Sequence, residues 1–116
     1  MRLCLLPGAG SFSPPKKGIL LSISFLVRMK FASEDRAEIA DALRELTLAS
    51  RQEEGCVSYL AGYVEDDADT VLIVEQYRDG QALIAHREST HFNKYAVAIL
   101  YQKMRERSVE NLQVVV

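Results

Sequence analysis

The chain has 116 residues, 48% of them apolar and 26% charged, and carries a formal net charge of −2. That length accommodates one domain, and the composition belongs to a folded globular chain rather than a disordered one. Charges of both signs are scattered along the sequence, so the basic stripe that neutralises phosphates is missing and nucleic acid is not an expected partner.

Met1 to Gly18 stands apart from the rest of the chain. Leu3, Leu5 and Leu6 form a very short apolar run that Pro7, Gly8, Gly10, Pro14 and Pro15 interrupt. A secretory leader needs roughly 7–15 apolar residues and a membrane span about 20. Neither is expected; residues 1–18 read as an extension or arm, residues 19–116 as the folded domain, and the protein as cytoplasmic, with no membrane partner. Cys4 and Cys56 lie far apart without paired Cys or His companions. They fit two reduced thiols and not a structural zinc site.

From Leu20 to Phe31, the residues Ile23, Phe25, Val27, Met29 and Phe31 alternate with more polar neighbours, which predicts a strand with one apolar face. Ser33 offers a cap, and Ile39, Ala40, Leu43, Leu46 and Ala49 then recur at helical steps to about Glu54. Gly55 sits where a left-handed C-terminal cap would go. Cys56 to Val64 predicts a second strand, Asp66 to Asp69 a polar turn, and Thr70 to Tyr77 a third strand, the pair forming a hairpin. Asp79 can cap a short helix to about Glu88, and Ser89 or Thr90 another to about Arg105, with Phe92, Tyr95, Ala96 and Ile99 inward. Val109 to Val116 closes the series as a strand.

The order β-α-β-β-α-β predicts an α+β domain of the ferredoxin-like, split β-α-β kind: an antiparallel sheet with helices on one face. An apolar opposite face must be covered, since large exposed apolar patches are rare on monomers. Two-fold pairing is the commonest oligomer symmetry, so the expected partner is a second copy of the chain, a homodimer.

Three stretches, SRQEEGCVSY (Ser50 to Tyr59), VLIVEQYRD (Val71 to Asp79) and ALIAHRESTHF (Ala82 to Phe92), occur in succession with short spacers. In this order the chain resembles the antibiotic biosynthesis monooxygenase family, in particular its small quinol-monooxygenase-like branch, over about residues 20–116. The resemblance implies a dimeric α+β barrel. It also implies a small aromatic or quinol-like ligand, and oxygenation of that ligand without metal, flavin or other cofactor. Family members also include isomerases on small sugars, haem degraders and proteins of no known reaction, and a shared fold does not settle chemistry. The chain has no tryptophan, Tyr77 stands where many relatives carry one, and the first strand has Ser24 and no asparagine. Both departures speak against haem degradation.

Among individual residues, His86 comes four and three positions after Ala82 and Leu83 and shares their inward face. A histidine there can take a proton from a ring hydroxyl at neutral pH, and a quinolate gives an electron to dioxygen more readily than the neutral quinol. The alternative is a histidine bonded to backbone at the helix junction. His91 opens the next helix, as a site residue, an exposed one or a dimer contact. No third ligand stands at helical spacing with the two histidines, so no metal is expected. Glu75 shares the apolar face of Val71, Ile73 and Tyr77; it can orient a histidine, accept a second proton, or pair with Arg28 or Arg51. Arg51 and Glu54 are expected to tie the helix end to the sheet or partner. Tyr59, Tyr63, Tyr77, Phe25 and Phe92 offer flat surface for a planar ring, against the plainer reading of strand core. Beside the oxygenase stand two alternatives: an isomerase on a small carbonyl compound, and a non-catalytic dimeric ligand-binding or stress protein.

Overall fold

A computed structural model describes residues 22–115. The arm 1–18, Cys4, the first residues of the predicted opening strand and Val116 lie outside the described residues. Strand β1 (Ile23–Lys30) alternates as expected, with Phe25, Val27 and Met29 buried and Arg28 and Lys30 exposed. Ser33 does not cap the helix after it: its hydroxyl donates to Asp69 Oδ2 at 2.7 Å, and Ser33–Asp35 form a 3-10 turn that leads into α1 (Arg36–Arg51). Asp69 also takes the Arg36 guanidinium at 2.9 Å, which fastens the start of α1 to the hairpin. The helix buries Ile39, Ala42, Leu43, Leu46, Thr47 and Ser50, one stripe at three- and four-residue steps.

Two local expectations are corrected after α1. The helix ends at Arg51, and no glycine among the described residues has a positive φ. Gly55 is there for closeness: a Cβ built on it would lie 2.3 Å from the Ala82 Cβ. The missing side chain lets two elements distant in sequence touch.

Strand β2 (Cys56–Val64) and strand β3 (Asp67–Tyr77) form the hairpin, joined at Asp66, whose φ of 70° an aspartate tolerates. The third strand thus starts at Asp67, earlier than Thr70, because Asp67 Oδ2 accepts from the Thr70 hydroxyl at 2.6 Å and the turn shrinks. Helix α2 (Gly80–Arg87) is capped by Asp79, whose carboxylate accepts from the Ala82 N–H at 2.9 Å. Ser89 caps the next helical segment through the Phe92 N–H at 3.1 Å. That segment is a π-helix (Phe92–Leu100), continued by an α-helical turn (Tyr101–Lys103). Its wider winding buries Ala96 and Leu100. Strand β4 (Glu106–Leu112) begins and ends earlier than the valine-rich end of the chain suggested. Its position is fixed by pairing with β1, from Lys30 opposite Glu106 to Ser24 opposite Leu112.

The sheet order is β2-β3-β1-β4, antiparallel throughout, in an α+β ferredoxin-like fold. One core lies between the sheet and the helices, built on Phe25, Val27, Met29, Ile39, Leu46 and Ile73. No helix among the described residues is long and apolar enough to cross a membrane.

Candidate active site

Register in the sheet assembles the floor of the site. Glu75 on β3 pairs with Phe25 on β1 and with Tyr59 on β2, so all three side chains share the face toward the helices. Tyr77, two residues on, returns to that face, and its hydroxyl donates to Glu75 Oε1 at 2.6 Å. Phe25 and Tyr77 stack with ring centroids 6.1 Å apart.

His86 hangs over this floor from α2 and is 2% exposed. Its ring lies 5.0 Å from Tyr77, 5.9 Å from Tyr59 and 5.1 Å from Phe92, the last edge-on. Nδ1 is 2.8 Å from Glu53 Oε2, and Nε2 is 3.7 Å from Glu75 Oε1. The same Glu53 oxygen lies 2.5 Å from His91 Nε2. A carboxylate oxygen only accepts, so Glu53 takes the Nδ1–H of His86 and the Nε2–H of His91. This leaves the lone pair of His86 at Nε2, on the side of Glu75.

Burial shapes the electrostatics. It lowers His86 below its ordinary value near 6.5, against the opposing pull of Glu53, so the imidazole is neutral at pH 7. It pushes Glu75 up to about 7, although the Tyr77 hydroxyl bond holds it down. It raises Tyr59 and Tyr77 far above the usual phenol range, with Glu75 adding to the effect, so both hydroxyls stay protonated. The Cys56 thiol is pushed up to about 11, chiefly by burial, and is free. It is no nucleophile at neutral pH.

Between sheet and helices lies a cavity lined by Phe25, Tyr59, Glu75, His86, Phe92 and Tyr101, with the exposed Arg87 and Arg107 also on its wall. Its space open to water centres is about 30 Å³. That exceeds the roughly 10–15 Å³ one ordered water requires and is too small for an aromatic ring.

Of the residues expected at the site, His86, Glu75, Tyr59, Phe25 and Phe92 line this cavity, while Tyr77 and His91 support it from behind. Tyr63 is separated from it: its hydroxyl donates to the Arg36 carbonyl at 3.3 Å, and it lines a groove between α1 and β2. Glu75 pairs with neither Arg28 nor Arg51, and the Arg51 Nε–H instead donates to the Tyr59 carbonyl at 2.9 Å, tying the end of α1 to β2. Glu53, at the centre of the site, was missed. The only signal was the pair of glutamates ahead of Gly55, and helical spacing does not say which one turns inward. Glu53 also supplies the third donor that spacing had denied the histidines. Its oxygen and one nitrogen each of His86 and His91 lie within 4.8 Å of one another. Two imidazoles and a carboxylate suit a divalent ion such as zinc, which would have to replace both hydrogen bonds.

A family model described as antibiotic biosynthesis monooxygenase matches residues 22–98. Among solved structures, the chain is similar to a conserved protein of unknown function from Bacteroides thetaiotaomicron, described as a possible oxidoreductase. The two are 28% identical with a TM-score of 0.73, over 81% of this chain and 98% of that one. It is also similar to Rv0793 from Mycobacterium tuberculosis, at 25% identity and a TM-score of 0.73, over 82% and 96% of the two chains. In shape it resembles a candidate antibiotic biosynthesis monooxygenase from Bacteroides thetaiotaomicron, 24% identical with a TM-score of 0.77, over 83% and 91%. A search of curated proteins found no match.

Proposed function

The chain belongs to the antibiotic biosynthesis monooxygenase family, and from that premise we propose that it oxygenates a small quinol or related phenol with dioxygen, the substrate serving as its own reductant. The observation that carries the reading is the buried His86, held through Nδ1 by Glu53 with the Nε2 lone pair turned to the Glu75 side of an aromatic-lined cavity.

A ring hydroxyl reaching Nε2 gives its proton to the imidazole, and the imidazolium that forms is stabilised by Glu53 at 2.8 Å. The resulting quinolate is electron-rich enough to reduce dioxygen. A carbon–oxygen bond then forms at the ring, and the oxygen–oxygen bond breaks with loss of water. For hydroquinone the balance is one quinol plus one dioxygen to one hydroxyquinone plus one water, with all four electrons drawn from the ring. Phe25, Tyr59 and Phe92 present flat apolar walls to the substrate. Because the cavity has room for water or dioxygen and not for a ring, substrate entry requires the lining side chains nearest solvent to swing outward. The working unit of this reading is a homodimer, as an exposed sheet face favours.

Oxygen uptake by chelator-treated protein, measured across a panel of small quinols, tests the proposal. Turnover is expected, and His86→Ala is expected to lower it by roughly 100-fold or more, the scale of a lost general base. No uptake with any quinol would sink the oxygenase. Exchange of an α-proton of a small carbonyl compound in deuterated water, without oxygen uptake, would point to the isomerase reading, which Glu75 beside His86 would serve as a second proton acceptor.

A further inference from the structure

The cavity at His86 has a cationic side that the proton chemistry leaves unused. Arg87 ends α2, directly after His86, and Arg107 stands on β4 opposite the buried Met29, facing the helices. Both line the cavity and both are exposed. Among the described residues, neither is in an ion pair. The Arg107 guanidinium lies over the Tyr101 ring at 5.5 Å, Tyr101 meets Phe92 edge-on at 6.0 Å, and Phe92 meets His86 at 5.1 Å. A continuous wall of rings therefore runs from the outer cation to the inner base. The two charges also reach the interior, since both act to hold the Glu75 carboxyl down against the effect of its burial.

Counting charges narrows what this wall can receive. A hydroxyl that gives its proton to His86 leaves the net charge of this space unchanged, so the ionisation consumes neither guanidinium. Both guanidiniums remain for a ligand, exposed and in no ion pair among the described residues. The planar fork of each matches a carboxylate with two parallel hydrogen bonds.

We propose that the site selects an anionic aromatic substrate, a hydroquinone bearing a ring carboxylate, with the carboxylate held by Arg87 and Arg107 and a hydroxyl directed inward to His86 Nε2. The orientation of the ring rests on the oxygenase reading; the capture of the anion does not. Engaging the carboxylate also draws Arg107 off Tyr101, which loosens the wall where a cavity too small for a ring has to widen.

Calorimetric titration without oxygen separates binding from turnover. The intact protein is titrated with 2,5-dihydroxybenzoate and, separately, with uncharged hydroquinone. The acid is expected to bind about 10-fold tighter or better, the scale of a paired charge-assisted contact. In the double variant Arg87→Gln, Arg107→Gln the two ligands are expected to converge on one affinity. Equal affinities in the parent, or a preference that survives in the double variant, would overturn the proposal. Both positions are exposed, and circular dichroism melts check that the double variant folds. Should it not, each single substitution is read instead, with at least a roughly threefold loss of preference expected. A preference for the acid without oxygen uptake would keep the anion site and remove the oxygenase. Uptake with both quinols and no preference would do the reverse.

Discussion

At His86 two influences act on one imidazole. Burial disfavours its charged form and the Glu53 oxygen favours it, and burial is the larger, so the ring rests neutral and ready to accept a proton. Glu53 fixes which nitrogen accepts. Glu53→Gln keeps the length but presents an amide that can donate as well as accept, so the tautomer is no longer enforced. Oxygen uptake is expected to fall about 10–100-fold, the usual loss when the carboxylate orienting a histidine is removed, and less than for His86→Ala. A rate equal to the parent's would show that Glu53 does not orient the base. Glu75 titrates in the opposite sense. Its folded-state value is raised from 4.5 to about 7, so the folded chain holds a proton that the unfolded chain releases. The stability this contributes is present below about pH 4.5 and lost as pH rises through 7. At 1.36 kcal/mol per unit the whole range is roughly 3 kcal/mol. Glu75→Gln, uncharged at every pH, is therefore expected to gain about 1–3 kcal/mol on the parent between pH 5 and pH 8, read from urea midpoints. His86, lowered on folding, contributes with the other sign and loses stability as pH falls through 6.5, which flattens the parent's own profile. A difference between variant and parent that ignores pH would refute a protonated Glu75.

Among the elements, the contact between Gly55 and Ala82 decides where α2 sits, and α2 carries His86. Gly55→Ala forces a Cβ into 2.3 Å of another, with no flexible side-chain end to yield. A loss of about 1–3 kcal/mol in urea unfolding is expected, the cost of overpacking, and adding Ala82→Gly should restore most of it. A double variant no better than the single one would show that the strain lies elsewhere. The sequence marked Gly55 as special but assigned it a backbone role. Chain order shows only that a glycine follows a helix; whether its freedom or its smallness matters depends on what the fold brings against it. The same division holds for the roof. Asp79 was legible as a cap, and Ser89 as one of two candidates with Thr90, because capping is local chemistry within three residues. Ser33, expected to cap on the same ground, bonds instead to Asp69 across the fold. The π-winding from Phe92 to Leu100 was not, since its apolar residues at three- and four-residue steps satisfy an ordinary helix equally well.

For the whole molecule, the sheet face away from the helices carries Leu26, Val74 and Leu60 in one row across three strands, with Leu72 beside them. Leu60 is 63% exposed. The proposed homodimer covers this face. Sedimentation of the parent as a dimer is expected, and Leu60→Asp, which places a charge there, should shift it toward monomer. A monomeric parent would end the proposal. The sequence by itself determined the element order, the antiparallel α+β plan, the inward residues Phe25, Val27 and Met29 of β1 and Val71, Ile73, Glu75 and Tyr77 of β3, and Ile39, Leu43 and Leu46 of α1. A period of two or of three to four reports directly which way a side chain leaves its own backbone. Ala40 and Ala49, expected inward, are only half-buried, and Ala42, Thr47 and Ser50 are buried in their place. Only the tertiary structure decided that Glu53, and not its neighbour Glu54, meets both histidines. Only it decided that Tyr63 faces a different groove, and that two arginines from α2 and β4 border one cavity. Those relations join residues that sit in turns or far apart along the chain, where no local period exists and position is set by packing alone.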